Sequence, residues 1–157
     1  MGHAVSLRIR KPALRDAKFL WQLRNQKAVR KASFNMKKIP WAGHENWLLG
    51  RLKDPKVAFY LISKGPEPIG QIRFDRKSKA AVVNISISKE FTGKGFGARA
   101  VKMATRKYLK NHSVNQVIAF AKEKNRASVN CFEKAGYANK GKTIEEGFRC
   151  VKLVCGR

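Results

Sequence analysis

Three glycines within five residues, Gly93-Lys94-Gly95-Phe96-Gly97, form the segment of this sequence best suited to chemistry. An alternating apolar stretch ending at Ser88 leads into them, and Val101, Ala104 and Tyr108 follow at helical spacing. A strand therefore turns sharply and opens a helix. Glycine accepts positive φ and lets a ligand approach the backbone. The first amides of a helix lack internal partners and lie at its positive end. A pyrophosphate suits such a place, held by backbone N–H groups with Lys94 adding a cation. The same residues also suit a loop that binds nothing. They do not form a Walker motif, which needs Gly-Lys-Ser/Thr at the helix start, and the glycine spacing is not that of a dinucleotide fingerprint.

About thirty residues further on, after another strand pattern, comes a second segment. It reads Ala121-Lys122-Glu123-Lys124-Asn125-Arg126-Ala127-Ser128-Val129-Asn130-Cys131-Phe132-Glu133-Lys134-Ala135-Gly136-Tyr137. In this order and spacing, the two segments strongly resemble the GNAT superfamily of N-acetyltransferases. There the first is the pyrophosphate motif and the second a helix ending in Glu-Lys-x-Gly-aromatic. The resemblance runs over nearly the whole chain. It implies acetyl-CoA as cosubstrate, no metal, and acetyl transfer to an amine.

By that resemblance, Ile85, Ser86 and Ile87 lie beside the pantetheine arm, where the fourth and fifth strands splay. An amide near Ile87 polarises the thioester carbonyl as an oxyanion donor does. Gly93, Lys94, Gly95, Phe96, Gly97 and Ala98 hold the pyrophosphate. Asn125 and Ser128 contact the pantetheine or thiol end, although their spacing is also plain helix-cap chemistry. Two positions depart from the family pattern: Thr92 stands where Gln or Arg is usual, and Phe132 where a tyrosine often protonates the departing thiolate. Ser128 is the substitute acid. The base that takes a proton from the amine is Glu123, His44 or a water chain. Glu123 between lysines reads also as a surface ion pair, and His44 as structural.

The acceptor side should come from the first third of the chain. Trp21-Gln22-Leu23-Arg24-Asn25, Val29-Arg30, Ser33-Phe34 and Ile39-Pro40-Trp41-Ala42-Gly43-His44-Glu45-Asn46-Trp47 resemble a particular branch. That branch acetylates nucleotide-linked amino sugars, as in pseudaminic acid biosynthesis. The resemblance implies an anionic small-molecule amine, bound by Arg24, Asn25, Arg30, Trp47 and Arg73. Arginines hold diphosphates and tryptophans stack on sugar or base faces. The tryptophans also suit a core, and the arginines a solvated face. The rivals are a ribosomal-protein-type N-terminal or lysine acetyltransferase, and an inactive member of the fold that binds nucleic acid.

These residues need a scaffold to position them. Val5 to Arg10 alternates as a strand, and Asp16 looks like the cap of a helix carrying Ala17, Leu20 and Leu23. Pro40 can open a second helix with Trp41, His44 and Leu48 on one face. Strands are expected over Val57 to Ser63, Ile69 to Phe74, Ala81 to Ser88 and Gln116 to Ala121, and a last one over Phe148 to Val154, with room for one more. A short helix, Ala127 to Ala135, is stopped by Gly136. The fold class is α/β: a single domain over 1–157 with a mixed, mostly antiparallel sheet. Parallel strands four and five splay, and about four helices flank the sheet.

Composition narrows the setting. The chain has 157 residues and a hydrophobic fraction of 43%, which fits one globular domain. No apolar run reaches membrane-spanning length, and no secretory leader opens the chain. Met1 to Ser6 fits the short myristoylation pattern, which is frequent by chance. Cys131, Cys150 and Cys155 have no CxxC pairing and suit reduced thiols in the cytoplasm. Cys131 lies in an apolar helical pattern and reads as packed. His3, His44 and His112 lack ligand spacing. With 35 basic and 10 acidic residues the formal net charge is +25, which favours anionic partners. Nucleic acid is compatible with that charge but not expected, and the protein is read as a monomer or homodimer.

Overall fold

The computed structural model of the chain describes residues 6–157. Val5, His3 and the myristoylation pattern therefore lie wholly or partly outside the described residues. Strands β1 (Leu7–Arg10), β2 (Val57–Lys64), β3 (Glu67–Lys77), β4 (Ala80–Ile87), β5 (Gln116–Lys122), β6 (Ala138–Glu145) and β7 (Phe148–Gly156) form one sheet. Helices are α1 (Ala17–Asn25), α2 (Lys27–Ala32), α3 (His44–Lys53), α4 (Phe96–Asn111) and α5 (Arg126–Lys134). The strand order is β1-β2-β3-β4-β5-β7-β6. Among these pairings, β4 with β5 is parallel and the rest antiparallel. The crossover that parallel pairing requires is α4.

Alternation along β2 sorts the two faces of the sheet. Tyr60 and Ile62 point into the larger core with Ala100, Ala104 and Tyr108 of α4 and Val129 and Phe132 of α5. Phe59 and Leu61 point the other way, against Ala17 and Leu20 of α1 and Leu48 of α3. The larger core is anchored by Phe74 stacked on Tyr108, centroids 4.5 Å apart. On the far side of the sheet, β3 presents Gln71 and Arg73, partnered in register with Leu61 and Phe59.

Three features differ from the sequence-based expectation, and one strand it left open is now located. Asp16 does not cap α1 with its side chain; its carboxylate accepts the Ala13 amide at 2.8 Å and both arms of the Arg10 guanidinium. Pro40 is not in the first helical turn, because the chain continues through a turn and α3 begins only at His44, after Gly43 at φ 84°. Gln26 (φ −60°, ψ 138°) breaks the first helical region and starts α2, which carries no distinctive apolar stripe. The additional strand is β6, an exposed polar edge strand whose apolar alternation is too weak to read from sequence.

Candidate active site

The parallel pairing of β4 and β5 covers only Ala80↔Gln116, Ala81↔Val117 and Val82↔Ile118. Beyond Val82 the strands separate. On the other side of β4, the Ser88 amide donates to Ile69 O at 2.7 Å, which makes 69/88 a hydrogen-bonded pair. Antiparallel alternation then turns the amides of Ile87 and Ile85 away from β3 and into the gap left by β5. The ladder keeps close contact there because position 70 is glycine. A Cβ at Gly70 would stand 2.4 Å from the Ser86 carbonyl oxygen.

Downstream of β4, a short 3-10 turn over Lys89–Phe91 leads to the glycine segment. Gly93 has φ 74° and Gly95 φ 83°, and a Cβ at either would meet nothing within 4 Å. Gly95 is the N-cap of α4, so the amides of Phe96, Gly97 and Ala98 occupy the first turn, where a helix cannot pair them internally. Positive φ, free space and convergent donors fit a pyrophosphate. Gly97 is tight instead: its Cβ would approach Cys131 Sγ at 3.1 Å. Cys131 is thus packed against this turn, and burial pushes its thiol up to about 11.

Across the sheet lies a cavity of about 530 Å³. Its wall includes Arg24 of α1, Trp47 and Arg51 of α3, Gln71 and Arg73 of β3, and Ser86 of β4. Among the described residues no carboxylate lines it; Asp75 stands behind, 3.2 Å from Arg73 Nε and 3.9 Å from Arg51 Nη1. Both guanidinium groups also lie within 6 Å of the Trp47 ring, at 5.7 and 5.9 Å. Arg24 donates through Nη2 to Asn35 O at 2.6 Å, while its buried Nη1 has no partner among the described residues. Burial, with Arg30 and Arg73 nearby, lowers the pKa of Arg24 from the usual arginine value. Gln71 gives both hydrogens of its Nε2, to Asn84 Oδ1 at 2.8 Å and Ser86 Oγ at 3.2 Å, and its buried Oε1 has no partner among the described residues.

Of the residues anticipated for the acceptor, Arg24, Trp47 and Arg73 meet on this cavity, but Asn25 and Arg30 do not line it. Asn25 instead clamps Ile39, donating to its carbonyl at 2.8 Å and accepting its amide at 2.7 Å. Arg30 donates to Asn25 O and Met36 O. These bonds, with Lys122 Nζ donating to Lys31 O and Ser33 O, hold the segment between α2 and α3 over the cavity. Arg51 and Gln71 were not anticipated. Arg51 lies one helical turn beyond Trp47, and Gln71 two residues before Arg73 on the same strand face, so both periodicities pointed to them.

The proton-handling candidates separate. Glu123 is ion-paired with Lys142 at 3.0 Å, which holds its carboxyl below the usual range, and it does not line the cavity. In this geometry Glu123 is an ion-paired side chain that does not face the cavity. His44 does reach the cavity wall, between Trp41 and Trp47 at centroid distances of 5.8 and 5.5 Å. Its Nε2–H donates to Ala17 O at 3.0 Å, and burial keeps its pKa below the usual histidine value. Asn125 Oδ1 accepts the Ser128 amide at 3.1 Å and caps α5, leaving the Ser128 hydroxyl uninvolved in the cap. Phe132 is buried against Tyr137, whose hydroxyl bonds Thr105 Oγ1 at 2.7 Å deep in the core.

A splayed parallel pair, a glycine turn opening a helix, and a cavity across the sheet define an acyltransferase that uses a pantetheine thioester. Residues 6–138 match the acetyltransferase (GNAT) domain, and the chain belongs to that family. It is an acetyl-CoA-dependent N-acetyltransferase. Comparison with curated protein sequences gives no match. Among solved structures, it is similar to the aminoglycoside acetyltransferase AAC(6')-Ib bound to coenzyme A, at 18% identity and TM-score 0.84 over 97% of this chain and 95% of that one. It is also similar to the spermidine N-acetyltransferase of Vibrio cholerae bound to CoA and spermine, at 17% identity and TM-score 0.84 over 96% and 95%. At such identities the likeness concerns the fold. Among the described residues, no group of three His, Cys, Asp or Glu side chains could hold a metal ion, and no helix is long and apolar enough to cross a membrane.

Proposed function

We propose that this enzyme acetylates the amine of a small anionic acceptor, a nucleotide-linked amino sugar. The observation that carries the reading is the charge of the cavity: three arginines on the wall, no carboxylate among them, and a buried Arg24 Nη1 without a partner. Asp75 offsets one of the three charges, leaving a net of about two, which suits a diphosphate. Trp47 offers a flat apolar surface for a sugar or base. Aminoglycosides and spermine, named with the similar structures, are polycations, and this wall would repel them.

Bound acetyl-CoA supplies an acetyl group activated as a thioester. Gly93 to Ala98 would hold its pyrophosphate, and the Ile87 amide would donate to the thioester carbonyl. Asn125 would lie beside the pantetheine end, and the Ser128 hydroxyl would relay a proton from water to the leaving sulfur. The positive wall lowers the pKa of an amine placed against it. A neutral nucleophile then needs only a weak base, such as His44 Nδ1 or water. Free Cys131, Cys150 and Cys155 support a reducing, cytoplasmic setting.

The test is a coenzyme A release assay with UDP-linked amino sugars, kanamycin, spermidine and amino-terminal peptides as acceptors. UDP-linked amino sugars should have the highest kcat/KM, and Arg24→Ala should raise their KM at least tenfold while leaving the KM for acetyl-CoA within twofold. Peptides or polyamines turned over more efficiently than every sugar nucleotide would refute this acceptor.

A further inference from the structure

The second anionic ligand suggested by this molecule concerns α4, on the face of the sheet opposite the acceptor cavity. The helix sequence, Phe96 to Asn111, contains five basic residues and no acidic one. Its buried stripe is apolar, with Ala100, Val101, Ala104 and Tyr108. Its outer stripe carries Arg99, Lys102, Arg106 and Lys110, all exposed. At 100° per residue these four fall within an arc of about 80°, and at a rise of ~1.5 Å per residue they span about 16 Å.

The ion pairs among the described residues involve none of Lys102, Arg106 and Lys110. Lys102 with Arg106, and Arg106 with Lys110, are like charges four apart, an arrangement that weakens a helix. An ordinary solvated helix mixes acidic residues into such a face and gains from the pairs. This one keeps a uniform positive stripe at the expense of its own stability. Neighbouring α5 adds exposed Arg126 and Lys134 on the same side of the sheet.

We propose that the outer face of α4 binds the phosphate backbone of a nucleic-acid duplex. Over about 16 Å, one duplex strand presents about five phosphates at ~3.4 Å of axial rise each, enough for every cation of the stripe. A membrane surface is disfavoured because the exposed large hydrophobic residues, Leu14, Met36, Trp41, Trp47 and Ile144, all lie off α4. Since α4 contributes nothing to the cavity wall, a docked duplex leaves acceptor entry open.

The experiment measures fluorescence anisotropy of a labelled 20-base-pair DNA duplex with the full chain across a KCl series, in saturating coenzyme A. The variant Lys102→Gln/Arg106→Gln/Lys110→Gln should lose at least tenfold in affinity and flatten the log–log salt slope by about 3, from ~0.9 per phosphate contact. A control of equal net charge, Lys18→Gln/Lys27→Gln/Lys31→Gln on α1 and α2, should lose less than threefold. Equal losses in the two variants would reduce the effect to net charge and overturn the proposal. So would displacement of the duplex by coenzyme A, or binding to anionic phosphatidylserine vesicles with no binding to the duplex. Calorimetric affinity for acetyl-CoA should be the same in the α4 variant and the wild type, so failure of the duplex site stays distinct from failure of the acetyltransferase reading. The melting temperature should not fall, because the substitutions remove repulsion.

Discussion

Gly95 and Asn125 show how single residues set the starts of α4 and α5. Gly95, at φ 83°, ends the turn and starts α4. Gly95→Glu would place a negative charge in the cradle and strain the backbone, so acetyl-CoA binding should become undetectable by calorimetry in a protein that remains folded. Asn125→Ala removes the α5 cap and should reduce stability by roughly 0.5–2 kcal/mol in denaturant melts. Ser128→Ala keeps that cap, since Ser128 gives it only a backbone amide. Its melting temperature should therefore stay close to wild type while kcat falls if the hydroxyl is the acid. Unchanged kcat would remove Ser128 from the chemistry. Phe132→Tyr should lower the melting temperature, because Phe132 is only 3% exposed and a new hydroxyl there enters the core.

At the scale of elements, two junctions matter most. The first is the clamp of Asn25 on Ile39, which holds the segment bridging α2 and α3 above the cavity. Asn25→Ala should raise KM for the acceptor more than for acetyl-CoA, and hydrogen exchange should accelerate in residues 33–43. The second is the crossing of β3 and β4 at Gly70. Gly70→Ala sets a methyl against the Ser86 carbonyl oxygen, a fixed backbone atom. We expect a loss of about 1–3 kcal/mol, from shifting strands that carry both Gln71 and Ile87. The ends of α4 are also fixed: glycine opens it, and the Arg157 guanidinium donates to carbonyls of Leu109, His112 and Val114 at its C-terminal end.

For the whole molecule, charge dominates. A formal net of +25 repels itself in the compact state, so added salt should raise the melting temperature. Acid should lower it for two specific reasons besides. The Arg10 guanidinium holds the Asp16 carboxyl below its usual range, so that stabilisation is complete above the unfolded value near ~4 and lost as pH falls through the folded value. Burial lowers the His44 pKa, so the unfolded chain takes up this proton first, and stability declines as pH drops below ~6.5. Thermal melts from pH 8 to pH 3 should show both phases. Asp16→Asn should weaken the protein more at pH 7 than at pH 3.

The glycine turn and the start of α4 were legible because they are contiguous. A strand, a glycine turn and a helix N-terminus follow one another in the chain, and their backbone chemistry is set by local residue types. The strands of the larger core were legible for a similar reason, since period-two alternation records which side chains are buried. The cavity across the sheet was readable only in part. Its wall draws on residues from Leu20 to Phe120, contributed by separate elements, and nothing local distinguishes Arg24, which reaches it, from Arg30, which ties down a loop. The pairing of Glu123 with Lys142 likewise depends on β6, a polar strand without a sequence signature. Local geometry and burial pattern were therefore determined by the sequence. Which charges converge on one space, and which are neutralised by a distant partner, was decided by the packing of α1 and α3 against the sheet and by the addition of its last edge strand.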